Sequence, residues 1–260
     1  MKQGKLLLVD FDGTLWKNNP FVLGFENEFK RLMKKHGVDV NFTDFANIHR
    51  IMTKEGLLNV SGDLQKIFFE YHNFYIAPHI DISPVSLYHF LYDAFLNHVK
   101  RTRFKPYSLR VLRELKNDYH IVGLTNGYYD IEVGVINMKL SNYKEILHNY
   151  YTPQKLYRKF NIGNPFKPEL NIIKSLIRNY KADDYILIGD HPKADGLLAK
   201  CGKLTVYLLT KYPNSIERTV RSVNFRKPTP REEDEIRQLY YEGRIILVSS
   251  WKKFLSELNV

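Results

Sequence analysis

Apolar and polar positions change their spacing along the chain. Residues 5–9, KLLLV, form a short apolar run without alternation, which is typical of a strand in a parallel sheet covered on both faces. From about residue 20 to residue 100, apolar residues recur at helical spacing, as in FENEFKRLMKKHG, DLQKIFFEYHNFY and SPVSLYHFLYDAFLNHVK. Since this region has no convincing strand pattern, we expect a helical insertion there.

After Pro106, helical and strand patterns alternate. The predicted strands are YHIVGLT, YILIGD, KLTVYLL and RIILVSS. The predicted helices are YSLRVLRELKND, a stretch that ends near residue 148, KPELNIIKSLIRNY, PKADGLLAKCG and WKKFLSEL. Because strands that alternate with helices are joined by right-handed crossovers, the sequence predicts an α/β protein with a parallel sheet.

The composition is that of a globular protein with a basic surface. The chain has 260 residues, 44% of them hydrophobic, and its 39 Lys and Arg against 28 Asp and Glu give a net charge of +11. A basic surface attracts anions, and the densest basic cluster is Lys100–Lys105. No apolar run approaches the roughly 18 residues that span a bilayer. A single cysteine excludes an internal disulfide and no signal-peptide pattern is visible, so we expect a cytoplasmic protein without a membrane partner.

Polar side chains follow three of the predicted strands, and a lysine precedes a predicted helix. These residues are Asp10, Asp12, Thr125, Asn126, Lys167, Asp190 and Asp195. Ligands bind at the carboxyl ends of strands in open parallel sheets, so we expect these side chains to meet. Carboxylate oxygens suit Mg²⁺, whereas a hydroxyl, an amide and a lysine suit phosphate oxygens. The sequence therefore predicts a site for magnesium and a small, anionic, phosphorylated substrate.

Four motifs carry these residues in a fixed order. They are Asp10-Phe11-Asp12-Gly13-Thr14, Thr125, Lys167-Pro168, and Gly189-Asp190 with Asp195. In type and order they resemble the motifs of the haloacid dehalogenase superfamily, and within it the phosphatase branch. The resemblance covers residues 1–19 and 106–208, and the last predicted strand and helix also fit.

The resemblance implies a Rossmann-like parallel-sheet core with an inserted all-helical cap domain of type one. Residues 1–19 and 104–260 would form the core and residues 20–103 the cap. A polar insertion in the core, residues 211–242, has no counterpart and no assigned role. Within it, TPREEDEIRQLYYEGR is predicted as one helix that Thr229 caps, with Pro230 in the first turn.

The resemblance also implies a role for each site residue. Asp10 would be the nucleophile that forms an aspartyl-phosphate, and Asp12 the general acid and base. The residues that would bind phosphoryl oxygens are Thr125, Asn126 and Lys167. The ligands of Mg²⁺ would be Asp10, the backbone carbonyl of Asp12 and Asp190, with Asp195 as a second acid at the metal site, and the motifs leave open whether Asp195 contacts the ion directly.

The acid at position 12 restricts the set of reactions that the resemblance implies. The dehalogenases of the family lack it, whereas phosphatases and phosphomutases keep it, and an alcohol leaving group needs a proton donor. We therefore expect a magnesium-dependent phosphomonoester hydrolase acting on a small phosphorylated metabolite. A phosphomutase of the same architecture stays open, because the motifs do not separate the two.

Two alternatives belong to other classes of protein. The first is an inactive phosphate-binding protein, against which the intact set of Asp10, Asp12, Lys167 and Asp190 argues. The second is a nucleic-acid-binding protein, suggested by basic residues interleaved with tyrosines. No recognisable binding module supports the second alternative.

Overall fold

A parallel sheet forms the centre of the computed structural model, which describes residues 4–17, 19–58, 63–140, 142–223 and 226–258. The six strands are β1 (Lys5–Val9), β2 (Tyr119–Leu124), β3 (Asn149–Tyr151), β4 (Tyr185–Gly189), β5 (Leu204–Leu209) and β6 (Ile245–Val248). They lie in the order β3-β2-β1-β4-β5-β6, and every neighbouring pair is parallel. The predicted α/β fold class with a parallel sheet is therefore confirmed.

Between β1 and β2, the elements that the structure describes are helices joined by turns and loops, with isolated bridges at Asp12–Trp16 and Trp16–Phe104. The α-helices are α1 (Asn27–Lys35), α2 (Phe42–Lys54), α3 (Asp63–Tyr71) and α4 (Pro84–Arg101). A π-helical turn, Phe21–Glu26, precedes α1, and another, His72–Ile76, follows α3. The side chain of Ser83 caps α4, as its Ser-Pro start predicts. The helical insertion is confirmed, and its division from the core as a cap domain stays a prediction.

The remaining helices cover the two faces of the sheet. They are α5 (Ser108–Leu115), α6 (Tyr129–Lys139), the 3-10 turn Tyr143–Glu145, α7 (Pro153–Phe160), α8 (Leu170–Tyr180), the 3-10 helix Gly196–Cys201, α9 (Ile216–Arg221), α10 (Pro230–Tyr241) and α11 (Trp251–Leu258). No helix in the described ranges is both long enough and apolar enough to cross a membrane.

Alternate residues of β1 face two separate apolar cores. Leu6 and Leu8 pack in the core on one side of the sheet. Leu7 and Val9 pack on the other side, in a core that continues into the aromatic side chains of the helical insertion, such as Phe25. The insertion and the sheet thus share one continuous apolar core.

Several segments differ from the sequence-based expectation: α7 and α9 are helices that the apolar pattern did not predict, and the helix after β2 ends at Lys139 instead of near residue 148. Residues 149–151 form β3, a strand that the apolar pattern missed because it is three residues long and lies at the edge of the sheet. In the segment PKADGLLAKCG, only Gly196–Cys201 is helical, and it forms a 3-10 helix that follows turns. The carboxylate of Asp195 accepts the backbone N–H of His191 at 3.1 Å, which ties the start of this segment into a turn.

The polar insertion contains the predicted helix, α10. Thr229 accepts the N–H of Glu232 at 3.3 Å, and the Glu232 carboxylate accepts the N–H of Thr229 at 2.7 Å. This reciprocal pair is a capping box. Both α9 and α10 pack on the sheet through buried side chains, among them Ile216 and Ile236. The insertion is therefore part of the packed core around β5 and β6.

Candidate active site

The carboxyl ends of β2, β1 and β4 lie side by side at one edge of the sheet. Val9 is in register with Gly123 of β2 and with Ile188 of β4. The residues that follow these strands therefore emerge next to one another. They are Asp10 after β1, Thr125 after β2 and Asp190 after β4.

Lys167 lies at the centre of the site. Its Nζ is 2.5 Å from Oδ1 of Asp10 and 2.6 Å from Oδ1 of Asp195. All three side chains are buried. One ammonium thus bridges two carboxylates that follow the neighbouring strands β1 and β4, and the resemblance had implied its pairing with Asp10.

Three carboxylates form a group that could hold a cation. One oxygen from each of Asp10, Asp190 and Asp195 lies within 4.8 Å of the others. Thr14 Oγ1 donates to Oδ2 of Asp10 at 3.1 Å and lies 3.4 Å from Oδ1 of Asp190. Gly13 has a φ of +77°, and any side chain there would collide with the Asp190 carboxylate.

The carboxylates outnumber the positive charges around them. Burial raises the pKa of Asp10 to about 7, although Lys167 acts in the opposite direction, and the Asp195 charge adds to the rise. The pKa of Asp190 is raised well above its ordinary value by burial and by the charges of Asp10 and Asp195, and Lys105 offsets part of this. A divalent cation would relieve this excess of negative charge, and the hard oxygen donors are those that Mg²⁺ prefers. The residues present therefore fit magnesium.

Asp12 is held apart from this group. Trp16 Nε1 donates to its Oδ1 at 2.8 Å, and Asn19 Nδ2 donates to its Oδ2 at 2.9 Å. Burial raises the pKa of Asp12 to about 6, against the effect of the Trp16 hydrogen bond and the Lys167 charge. Asp10 and Asp12 thus follow the same strand but differ in every hydrogen-bond partner that the structure describes.

Thr125 and Asn126 organise the loop that follows β2. Thr125 Oγ1 donates to Oε1 of Glu132 at 2.9 Å and accepts the N–H of Gly127 at 2.9 Å. Asn126 Oδ1 accepts the N–H of Lys167 at 2.8 Å, and its Nδ2 donates to the Lys167 carbonyl at 3.2 Å. The Asn126 amide therefore fixes the backbone of Lys167, and the predicted phosphate contacts of Thr125 and Asn126 stay predictions.

Three residues of this site were missed by sequence reasoning. Trp16 and Asn19 orient Asp12, and nothing in their spacing distinguishes them from core or loop residues. Glu132 is fully buried, and its Oε2 has no hydrogen-bond partner in the part of the chain that the structure describes. An acid on the apolar face of α6, beside Ile131 and Ile136, is the signal that could have identified it.

Solved structures match nearly the whole chain, whereas no protein-family model and no curated protein matches it. A 2-haloacid dehalogenase from Pseudomonas syringae pv. Tomato DC3000 matches with a TM-score of 0.55 at 14% identity, over 98% of each chain. CbbY from Rhodobacter sphaeroides, in complex with phosphate, matches with a TM-score of 0.54 at 13% identity, over 99% of this chain and 100% of that one. The putative HAD-hydrolase YfnB from Bacillus subtilis, bound to magnesium, matches with a TM-score of 0.50 at 12% identity, over 100% of both chains.

At these identities the similarity establishes the fold. The class is an α/β protein with a Rossmann-like parallel sheet and helical insertions. Within that class, the chain has the fold of the haloacid dehalogenase superfamily, as its motifs predicted.

Proposed function

We propose that the protein is a magnesium-dependent phosphomonoester hydrolase that works through an aspartyl-phosphate on Asp10. The observation that carries this proposal is the difference between two neighbouring acids. Asp10 is paired with Lys167 at 2.5 Å, whereas Asp12 is held by the neutral donors Trp16 and Asn19. A pair of acids in different environments suits a nucleophile and a proton carrier.

In the first step, a carboxylate oxygen of Asp10 forms a bond to phosphorus while the bond from phosphorus to the ester oxygen breaks. Lys167, which already bonds Asp10, favours the ionised nucleophile and can also bind a phosphoryl oxygen. Asp12 gives its proton to the departing alkoxide. Trp16 and Asn19 fix the direction from which that proton is delivered.

In the second step, water attacks phosphorus and releases phosphate from Asp10. Asp12, now ionised, takes a proton from that water and returns to its first state. Thr14, which donates to Asp10 at 3.1 Å, holds the nucleophile in place through both steps. Each residue of the chain therefore ends the cycle as it began.

Asp10, Asp190, Asp195 and the backbone carbonyl of Asp12 would hold the magnesium ion. When bound, the ion supplies positive charge that lowers the repulsion between the Asp10 carboxylate and the phosphoryl group. The two Asp195 oxygens already accept from Lys167 and from the His191 N–H. Asp195 is thus also a positioning residue for Lys167.

The experiment that tests the proposal measures phosphate release from an aryl phosphate with magnesium, with and without a chelator. We expect turnover that the chelator abolishes, and none from an Asp10→Asn variant. Halide release from a 2-haloalkanoic acid, in the absence of phosphatase activity, would instead support a dehalogenase. Turnover that requires a bisphosphate activator would support the phosphomutase alternative.

A further inference from the structure

Glu132 is an acid enclosed beside the loop that follows β2. Its side chain is fully buried on α6, and its Oε1 lies 2.9 Å from Oγ1 of Thr125. Its Oε2 is buried without a hydrogen-bond partner in the described part of the chain. The carboxyl group can come this close to the loop because a Cβ at Gly127 would collide with Oε1. Glu132 thus contacts a residue that is predicted to bind phosphate.

The charge state of Glu132 follows from these surroundings. Burying a carboxylate beside a single neutral donor costs far more free energy than burying a carboxylic acid. Burial raises the pKa of Glu132, and the charges of Asp12 and Asp10 add to the rise. The hydrogen bond from Thr125 and the charge of Lys167 offset only part of it. Glu132 is therefore a neutral acid, which can donate a hydrogen bond as well as accept one.

The Thr125 hydroxyl has one proton and two acceptor positions. One acceptor position takes the N–H of Gly127 at 2.9 Å. While the hydroxyl donates to Glu132, its proton is not available to a phosphoryl oxygen. If Glu132 donates instead, both acceptor positions of Thr125 are filled and its proton is free. The Glu132 carboxyl group can make this exchange by rotating, because its Oε2 has no described partner to lose.

We propose that Glu132 is a positioning residue for phosphate binding: as a neutral acid it donates to Thr125 and directs the Thr125 hydroxyl proton to a phosphoryl oxygen. The proposal rests on the function inferred above, since that function places the phosphoryl group at Asp10 and Lys167. The loop of Thr125 also holds Lys167, because Asn126 Oδ1 accepts its N–H at 2.8 Å. Glu132 acts through Thr125 and does not touch the substrate.

A double-mutant cycle tests the proposal through the affinity for inorganic phosphate, measured by calorimetric titration with magnesium present. Glu132→Gln keeps an N–H that can donate to Thr125, so its affinity should stay within about threefold of that of the parent protein. Glu132→Met keeps the side-chain length without a donor and should weaken binding by about tenfold. Thr125→Val should weaken binding by a similar factor, and adding Glu132→Met to Thr125→Val should cost less than about twofold more.

Asp63→Leu is the matched control, because Asp63 is another fully buried acid, whose described hydrogen-bond partner is Gln154 of α7. Any effect of Asp63→Leu on phosphate affinity should add to that of Thr125→Val. Equal losses in Glu132→Gln and Glu132→Met, or no loss in either, would overturn the proposal. A full further loss when Glu132→Met is added to Thr125→Val would also overturn it, because Glu132 would then act by packing alone.

Infrared difference spectra with and without phosphate give a readout that packing alone would not produce. In the parent protein we expect a C=O band of a protonated carboxyl group that shifts when phosphate binds. The band should be missing from Glu132→Gln, whereas in Thr125→Val it should remain and no longer shift. Identical difference spectra for the parent protein and Glu132→Gln would overturn the proposal, even if Glu132→Met does not fold.

Binding of inorganic phosphate does not require turnover, which separates this proposal from the hydrolase function. If the cycle shows coupling between Glu132 and Thr125 but no ester is hydrolysed, the hydrolase function fails and the role of Glu132 stands. If esters are hydrolysed and the two losses are additive, the role of Glu132 fails and the hydrolase function stands. A parent protein that does not bind phosphate would overturn both.

Discussion

Nζ of Lys167 lies 2.5 Å from Oδ1 of Asp10, and both side chains are buried. The same ammonium is 2.6 Å from Asp195, so one positive charge stabilises two carboxylates out of water. Removing one partner of a buried ion pair leaves an uncompensated charge in the interior. We therefore expect the lysine to stabilise both the folded protein and the ionised state of the proposed nucleophile.

Lys167→Met keeps most of the side-chain volume and removes the charge. We expect the free energy of unfolding to fall by about 3–5 kcal/mol, and kcat for an aryl phosphate to fall by about 10²-fold or more. Urea unfolding and phosphate release measure the two effects. Lys193→Met is the control, because Lys193 pairs with Glu232 at a solvent-accessible position and should cost only about 0–1 kcal/mol. Near-normal turnover in Lys167→Met would contradict the role of this lysine.

Trp16→Phe removes the N–H that donates to Asp12 and keeps an aromatic ring beside Phe11. Asp12 is proposed to protonate the leaving group. The loss of kcat should therefore be larger for alkyl phosphates than for aryl phosphates, whose aryl oxide leaves without a proton donor. We expect the ratio of their kcat values to change by about tenfold. Trp251→Phe removes another buried indole donor, whose acceptor is the Thr14 carbonyl at 3.0 Å, and should leave the ratio unchanged.

Glu132 should make the stability of the protein fall as pH rises. Burial and the charges of Asp12 and Asp10 hold the pKa of Glu132 well above its ordinary value of 4.5. The folded protein therefore keeps a proton there that the unfolded chain releases above about pH 4.5, so this contribution to stability declines with pH. Glu132→Gln is neutral at every pH and keeps an acceptor for Thr125. In urea unfolding we expect the variant to gain stability relative to the parent protein between pH 5 and pH 8.

Glu28→Gln is the control for the Glu132 experiment. The pKa of Glu28 is lowered by its hydrogen bond to Arg31, so this group is ionised in both states above pH 5. The free energy of unfolding of Glu28→Gln should change with pH in parallel with that of the parent protein. If the free energy of unfolding of Glu132→Gln also ran parallel to that of the parent protein across this pH range, Glu132 would be ionised in the folded protein.

The net charge of +11 predicts electrostatic steering of anionic substrates. We expect kcat/KM to fall as ionic strength rises from about 0.02 M to about 0.5 M, because salt screens exposed charges. A triple variant, Lys100→Gln, Arg101→Gln and Arg103→Gln, removes exposed charges at and just after the end of α4 and should show a smaller fall in kcat/KM. An equal fall in the variant would assign the steering to other charges.

Sequence reasoning could place the main features of this site because each depends on local chemistry. Apolar runs predicted β1, β2 and β4, and in a parallel sheet the residues after them must emerge at one edge. The meeting of Asp10, Lys167 and Asp195 follows from that topology. The capped helix α10 could be predicted because its signals lie within four residues of its start.

The features that the sequence did not predict depend on contacts between segments that are distant in the chain. Strand β3 is too short to produce a pattern, and it forms because Val122 to Leu124 of β2 offer a free edge. His49 of α2 lies far in the chain from Tyr128 and Phe166, and only the packing of α2 brings its ring against theirs. The burial of Glu132 likewise follows from how α6 packs, which no spacing rule encodes.

The most direct test of the account is mass spectrometry of acid-quenched Asp10→Asn and Asp12→Asn proteins after incubation with an aryl phosphate and magnesium. Asp12→Asn keeps the nucleophile but has no base to activate water, so we expect one added phosphoryl group on the peptide that contains Asp10. Asp10→Asn should carry none. A phosphoryl group on Asp12, on a histidine or on Cys201, or one that also forms in Asp10→Asn, would contradict the assignment of Asp10 as nucleophile.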